Sequence, residues 1–150
     1  MFVFFVLLWS VSMNPVDLQV VALRLRPGQD LKQSLDAWAR VQHIEAAIVL
    51  TCVGSLRQAV LRLADQSAPT SYIGKFEIVS LTGTLSVHGS HYHIAISDST
   101  GQTLGGHLME GSLVYTTAEI ALGILPGVHF ERRFDSASGY EELYVACEGN

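Results

Sequence analysis

The sequence predicts an α+β domain, a mostly antiparallel β-sheet with one main helix packed on it. Segments in which apolar and polar residues alternate, as they do in half-buried strands, fill the second half of the 150-residue chain. Only residues 31–42 space their apolar side chains as a main amphipathic helix does. No repeat or low-complexity stretch divides the chain, and its length suffices for one domain with a buried core.

A strand and the main helix are predicted to open the domain. Residues 17–26 alternate and are followed by a Pro-Gly pair, which ends strands. Asp30 then stands where a helix N-cap is expected, and Gln33 completes a capping-box pattern. The helix is therefore predicted over residues 31–42, with its apolar stripe packed inward.

An apolar, β-branched run follows the helix. Residues 44–53 are predicted to form a buried central strand that ends at Gly54 and Ser55. Residues 57–63 alternate again and favour a separate strand, with a short helix as the alternative.

The second half is predicted to consist of strands and turns. Residues 78–88 form a strand whose alternate positions face the core. Those core-facing positions are Val79, Leu81, Gly83, Leu85 and Val87. Further strands are predicted over residues 103–108, 113–125 and 129–134, with a closing turn at Gly139.

Three histidines are predicted to meet on one face of the sheet. His91 and His93 are two residues apart on a strand, so both point away from the core side taken by Tyr92. The five-residue loop 98–102 sets His93 opposite His107, with His91 as the diagonal neighbour. A loop one residue shorter would turn His107 to the other face. Three converging imidazoles suit zinc; the alternative is a set of polar surface or interface histidines.

The other histidines receive smaller roles. His88 lies on the polar face of the preceding strand, where a fourth ligand or a supporting group would stand. His43 ends the helix, where an imidazole interacts favourably with the negative end of the helix dipole. His129 opens the last strand and is assigned no role.

Short motifs occur in a definite order between residues 18 and 147. They are Val53-Gly54-Ser55-Leu56, Ser80-Leu81-Thr82-Gly83-Thr84-Leu85, His91-Tyr92-His93, Gly105-Gly106-His107-Leu108, Thr117-Ala118-Glu119-Ile120, and Phe130-Glu131-Arg132-Arg133-Phe134-Asp135 before Gly139-Tyr140. Together they resemble the PPC (plant and prokaryote conserved) domain family. The resemblance implies an antiparallel sheet flanked by helices and assembly as a homotrimer.

The resemblance also bears on DNA and on metal. In the plant branch the domain stands beside AT-hooks in nuclear DNA-binding proteins, but the AT-hook core Arg-Gly-Arg is absent from this chain. Plant members typically lack the histidines of the His-x-His and Gly-Gly-His positions. This chain has them, so it resembles the prokaryotic-type branch, which implies Zn²⁺ at His91, His93 and His107.

The PPC domain is predicted over residues 13–150, after a hydrophobic extension at residues 1–12. That extension is far shorter than the roughly 20 residues needed to cross a bilayer, so no membrane partner is predicted. Two cysteines without CxxC spacing, Cys52 and Cys147, favour an intracellular location, cytoplasmic or nuclear. Small serines near the end of the extension leave secretion as an alternative.

Charge argues against strong nonspecific DNA binding. The formal net charge is −5 and the nine basic residues are scattered, whereas displacing phosphate counterions requires a concentrated cationic surface. A patch assembled only in three dimensions would still permit it.

Three functions stay open. The preferred one is a zinc-binding module with a DNA-binding or regulatory role. The alternatives are a zinc-dependent enzyme acting on a small molecule at a subunit interface, and a structural trimer whose metal serves stability. No nucleophile elbow, phosphate loop or dinucleotide fingerprint occurs. Glu110 and Glu119 are the candidate general bases, although trimer packing or an ion pair with Arg132 or Arg133 is preferred for Glu119.

Overall fold

Antiparallel β-strands make up most of the structure, and one short helix packs against them. The computed structural model describes residues 17–147. Within them the elements are β1 (Gln19–Leu25), α1 (Leu31–Val41), β2 (Ala47–Arg62), β3 (Thr70–Ser86), β4 (Gly89–Ser97), β5 (Thr103–Leu108), β6 (Leu113–Ile124), β7 (Val128–Asp135) and β8 (Tyr140–Cys147). The fold is thus largely β, as predicted, and α+β describes it only coarsely. The predicted extension at residues 1–12 lies outside the described residues.

Six strands form one sheet in the order β1-β6-β2-β3-β4-β5, and every neighbouring pair is antiparallel. Strand β5 also pairs with the end of β2, where Leu61 is opposite Leu108 and Arg62 is opposite His107. Because β5 returns to β2, strands β2 to β5 form a closed ring of pairings. This ring brings the end of β2 beside the predicted histidine site.

The predicted break at Gly54 is wrong, because β2 runs through it as one strand. A Cβ at Gly54 would lie 2.1 Å from the carbonyl oxygen of Thr117, so only glycine permits this approach of β2 to β6. The register between these strands shifts on both sides of Leu56. The strand therefore bends at irregularities in its pairing instead of ending, and the segments predicted separately over residues 44–53 and 57–63 are parts of one strand.

The start of α1 confirms the predicted N-cap. Asp30 Oδ1 accepts a hydrogen bond from the Gln33 backbone N–H at 2.9 Å, and Asp30 Oδ2 accepts one from the Gly111 N–H at 2.5 Å. The capping box is not closed, because the Gln33 side chain donates to Glu110 Oε2 at 3.0 Å instead. Asp30 therefore ties the helix start to the turn between β5 and β6.

The core lies between α1 and the sheet. The helix buries Leu31, Leu35 and Ala39, and β4 buries Tyr92, Ile94 and Ile96, as the sequence predicts. Val79, predicted to face the core, is 56% exposed. A register shift between Ile78 and Ser80 changes which residues of β3 point inward, so that Ile78 is buried instead.

Strands β7 and β8 form a separate two-stranded ribbon. Val128 and Phe130 anchor its base in a small cluster with Ala46, and the Phe130 N–H donates to the Glu45 carbonyl at 2.9 Å. Strand β8 was not predicted. Most of its side chains are exposed or only partly buried, so it lacks the apolar alternation by which strands are recognised.

No helix among residues 17–147 combines the length and apolar character that crossing a bilayer requires.

Candidate metal centre

The turn between β4 and β5 sets the register of the three histidines. Asp98 Oδ1 accepts hydrogen bonds from the Thr100 N–H at 2.8 Å and the Gln102 N–H at 3.0 Å. With the five-residue loop held in this way, Ser97 pairs with Thr103 and His93 stands directly opposite His107. The predicted register is therefore confirmed.

The three imidazoles form a compact cluster. One ligand nitrogen from each of His91, His93 and His107 can be chosen so that all lie within 4.8 Å of one another. The Nε2 atoms of His91 and His93 are 3.1 Å apart. Two nitrogens bound to one tetrahedral zinc ion would be about 3.4 Å apart, given bonds of about 2.1 Å. Small side-chain rotations would therefore bring all three nitrogens to one ion.

The surroundings keep two of these imidazoles neutral. Burial, followed by repulsion from the protonated form of His91 and from Arg62, lowers the pKa of His107 to about 4. Burial, together with His93 and Arg132, lowers the pKa of His91. Neutral imidazole is the form that ligates metal ions.

A second observation also fits a metal. The Nδ1 atom of His107 is buried and has no hydrogen-bond partner within the described part of the chain. Leaving such a polar atom unsatisfied costs free energy, and a metal bond made through Nδ1, one of the two nitrogens with which histidine ligates, would remove that cost. The donor set, three imidazoles at one point, is one that zinc accepts.

The cluster faces a cleft of about 1110 Å³. Arg62, at the end of β2, and Arg132, on β7, line this cleft together with three carboxylates, those of Asp65 and of Glu141 and Glu142 on β8. Nη2 of Arg132 donates to Thr84 Oγ1 at 2.8 Å, which fixes the guanidinium beside the sheet. The β7–β8 ribbon therefore forms one wall of the candidate site.

His88, named as a possible fourth ligand or supporting group, is neither in the three-histidine cluster nor among the residues that line the cleft. Nε2 of His88 and Nδ1 of His129 each lie 3.4 Å from Glu45 Oε2. His129, to which no role was assigned, therefore joins a second polar group at the base of the ribbon. His43 follows the helix end, as predicted, with a φ of 52°.

Neither predicted general base is among the residues that line the cleft. Glu110 accepts the hydrogen bond from Gln33, and Glu119 is exposed on β6 opposite Arg24. The predicted ion pair of Glu119 is also wrong. Arg133 pairs with Glu131 at 2.9 Å, and Arg132 is bonded to Thr84.

The sequence pattern does not identify the charged residues of the cleft, which are Arg62, Asp65, Arg132, Glu141 and Glu142. The sequence assigns Arg132 only a pairing with Glu119, and it gives no role to the other four. The sequence does contain a pattern that could identify some of them: Arg132 and Arg133 precede the Gly139 turn, and Glu141 and Glu142 follow it. If the turn joins two strands of a hairpin, the two arginines and the two glutamates come close together across it. In the structure Arg133 is opposite Glu142.

The fold and the site together define a class of protein: a small antiparallel β domain with a three-histidine cluster in an open cleft. The chain belongs to the Plants and Prokaryotes Conserved (PCC) domain family, whose model matches residues 14–126. The predicted family is thereby confirmed. Strands β7 and β8 both lie beyond the matched residues.

Relatives include a bacterial and a plant protein. The chain is 50% identical over 133 residues to the bifunctional protein GlmU of Synechococcus sp. (strain JA-2-3B'a(2-13)). The matched region covers 89% of this chain and 21% of that protein. It is 30% identical over 95 residues to AT-hook motif nuclear-localized protein 13 of Arabidopsis thaliana, covering 61% of this chain and 21% of that one. The chain thus spans about a fifth of the length of the curated relatives it matches.

Solved structures share the fold over most of the chain. A hypothetical protein from Salmonella matches with a TM-score of 0.87 and 43% identity, covering 90% of this chain and 98% of that one. A metal-containing protein from Archaeoglobus fulgidus matches with a TM-score of 0.75 and 26% identity, covering 88% and 99%. A protein from Ralstonia eutropha, provisionally described as DNA-binding, matches with a TM-score of 0.71 and 25% identity, covering 83% and 89%.

Proposed function

We propose that this chain is a metal-binding PCC domain that holds one divalent ion, zinc, through His91, His93 and His107. The observation that carries the proposal is the convergence of three imidazole nitrogens within 4.8 Å on paired strands. The description of the Archaeoglobus neighbour as metal-containing supports it. Three protein ligands leave one position of a tetrahedral ion open, which suits a site that binds a further ligand.

Metal content tests this proposal. Wild-type protein is expected to bind about one zinc per chain, and His93→Ala is expected to lose it, since two imidazoles hold zinc far more weakly than three. His88→Ala is the matched control, because it removes an imidazole that pairs with Glu45 outside the cluster. Zinc is measured by elemental analysis after dialysis. Wild-type protein that holds no zinc, even after zinc is added, contradicts the proposal.

A homotrimer is part of the proposal. Support comes from large apolar side chains on the outer face of the sheet: Val20 on β1 is 61% exposed and Val53 on β2 is 56% exposed. Such residues favour association when they lie close together on a surface. Mass measured before and after chelation separates two roles for the metal. A trimer that persists without zinc supports a ligand-binding role, whereas dissociation supports a structural one.

A DNA-binding role is the second candidate function. It is favoured by the descriptions of the Ralstonia neighbour and of the Arabidopsis relative, and the net charge of −5 opposes it. Retention on duplex DNA, measured over a series of salt concentrations, tests it. Binding through phosphates weakens steeply as salt rises, so salt-dependent retention supports this role. No retention at low salt contradicts it.

We also propose that residues 13–150 form one domain and that residues 1–12 are an extension outside it. The family match beginning at residue 14 supports this boundary. A chain shortened to begin at Met13 is expected to keep the zinc content and the unfolding temperature of the 150-residue chain. A lower value of either contradicts the boundary.

A further inference from the structure

We propose that the metal-loaded cleft binds a small molecule through an oxyanion, a phosphate or carboxylate group, held between Arg62 and Arg132 beside the histidine cluster. This inference rests on the proposed metal function, because the net charge of the cleft depends on the ion. It assigns to the two arginines a role that the metal ligands do not share.

The two arginines approach the histidines from different elements. Arg62 is opposite His107 in the pairing of β2 with β5. Arg132 comes from the ribbon, and its bond to Thr84 at 2.8 Å holds it near His91, since Thr84 is opposite His91 in the pairing of β3 with β4. Both line the cleft of about 1110 Å³. A ligand in the cleft would therefore meet a cation from β2 and another from β7.

Both guanidinium groups keep donors for a ligand. Among residues 17–147, Arg62 makes no side-chain hydrogen bond or ion pair, and the hydrogen bond of Arg132 to Thr84 uses a single donor, at Nη2. A guanidinium carries five N–H donors in a planar fork that matches the geometry of phosphate and carboxylate. The unused donors make these arginines suited to an oxyanion.

The net charge of the cleft changes sign when a divalent metal ion binds. Asp65, Glu141 and Glu142 line the same cleft, so without an ion the three carboxylates exceed the two guanidinium groups by one negative charge. The histidines add no charge where they are neutral. A bound divalent ion leaves one positive charge in excess in a partly enclosed site, where charges interact more strongly than in water. An anionic ligand offsets this excess.

The same carboxylates argue for a small ligand over a nucleic-acid backbone. Glu141 and Glu142 line the cleft from β8, so a run of phosphodiesters laid along it would meet like charges. A single phosphate or carboxylate group carries less charge toward them, because it needs only the space between the arginines and the histidines. The cleft volume, about 1110 Å³, is ample for a metabolite-sized molecule.

Calorimetric titration with two probes tests the inference. Inorganic phosphate and malonate are titrated into zinc-loaded and metal-free wild-type protein, and zinc content is measured for every sample. Binding of at least one probe is expected with zinc, weaker by tenfold or more without it. Arg62→Gln and Arg132→Gln are each expected to weaken that binding by about tenfold, since one charge-assisted hydrogen bond is lost.

Arg133→Gln is the matched control. Arg133 is the neighbour of Arg132, but it pairs with Glu131 and stacks on Tyr144, with its guanidinium carbon 3.3 Å from the ring centre. It is expected to leave binding unchanged. Arg132→Lys keeps the charge without the fork and is expected to bind with intermediate affinity, which separates ligand recognition from a folding defect.

The outcomes are distinguishable. No zinc in wild-type protein overturns the metal function itself. Zinc bound at one per chain, with neither phosphate nor malonate binding, overturns only the anion inference. Equal binding with and without zinc, or equal effects of Arg133→Gln and Arg132→Gln, also overturns it. Binding of phosphate alone or malonate alone supports the inference and assigns the group that the cleft recognises.

Discussion

Asp98 controls the register of the candidate site from a loop that does not touch it. Its Oδ1 accepts hydrogen bonds from the Thr100 N–H, from Thr100 Oγ1 at 2.6 Å and from the Gln102 N–H. These bonds hold the pKa of the Asp98 carboxyl below its ordinary 3.8. Because the folded-state pKa is lower than the unfolded one, the contribution of Asp98 to stability is complete above the unfolded pKa. It is lost as the pH falls through the folded value.

Asp98→Ala is therefore expected to lower the unfolding temperature at pH 7, and the difference from wild type is expected to shrink below pH 3.8. The midpoint is measured by thermal unfolding across a pH series. Ser99→Ala, an exposed neighbour in the same loop, serves as the control and is expected to have little effect. A difference that stays constant down to pH 3 would contradict this account.

Burial makes the thiol of Cys52 unreactive. It is 4% exposed, and burial raises the pKa of its thiol to about 12. The thiolate, which is the reactive form, is therefore scarce near neutral pH. At pH 8 a thiol reagent is expected to label one cysteine of the folded chain, Cys147, and both after unfolding. Cys147→Ser should then show no fast labelling, and rapid reaction of two thiols in folded protein would refute the expectation.

At the scale of the element, β2 is the strand on which the fold depends. It pairs with β6, β3 and β5 and bends where Gly54 lies. The sequence predicts two shorter strands on either side of Gly54, because glycine and serine commonly end strands. In the structure residue 54 must be glycine, because β6 passes too close to β2 to leave room for a side chain there.

Gly54→Ala is expected to destabilise the fold by roughly 3 kcal/mol or more, since its Cβ would force β2 and β6 apart. Gly101→Ala is the matched control. That residue has a positive φ of 84° but nothing within 4 Å of a Cβ, so only the conformational cost of about 1 kcal/mol applies. The free energy of unfolding is measured in urea. Equal losses for the two variants would show that the close approach is unimportant.

Strand β8 illustrates a second limit of local patterns. Its partner β7 was predicted, and so was the turn at Gly139, but β8 is held by pairing along β7 and not by burial of an alternating face. Its importance lies in the two carboxylates that it brings to the cleft. These could be predicted only after the hairpin had been assumed.

At the scale of the whole molecule, the exposed apolar side chains of the outer sheet face are the surface through which the proposed homotrimer would form. Val20 and Val53 both lie on this face. Solution mass of the wild-type protein is expected to be close to three times the 16.3 kDa of one chain. Val53→Asp should shift the population toward smaller species, because a carboxylate would be buried at the interface.

Val41→Asp is the control for this experiment, because Val41 is 71% exposed at the end of α1, away from the outer sheet face. It is expected to leave the mass unchanged. A wild-type protein that is monomeric at all concentrations, or an equal effect of both substitutions, would contradict the proposed homotrimer.

The sequence by itself determined the features that depend on near neighbours along the chain. The Asp30 cap, the inward face of β4 and the opposition of His93 and His107 all follow from strand periodicity, helix capping and the length of one loop. Only the tertiary structure decided what stands around the histidines. Arg62 reaches His107 because β5 returns to β2, and Arg132 reaches Thr84 because the ribbon folds back over the sheet. Such contacts join residues more than 40 positions apart, and no local period of a chain encodes which distant strands will meet.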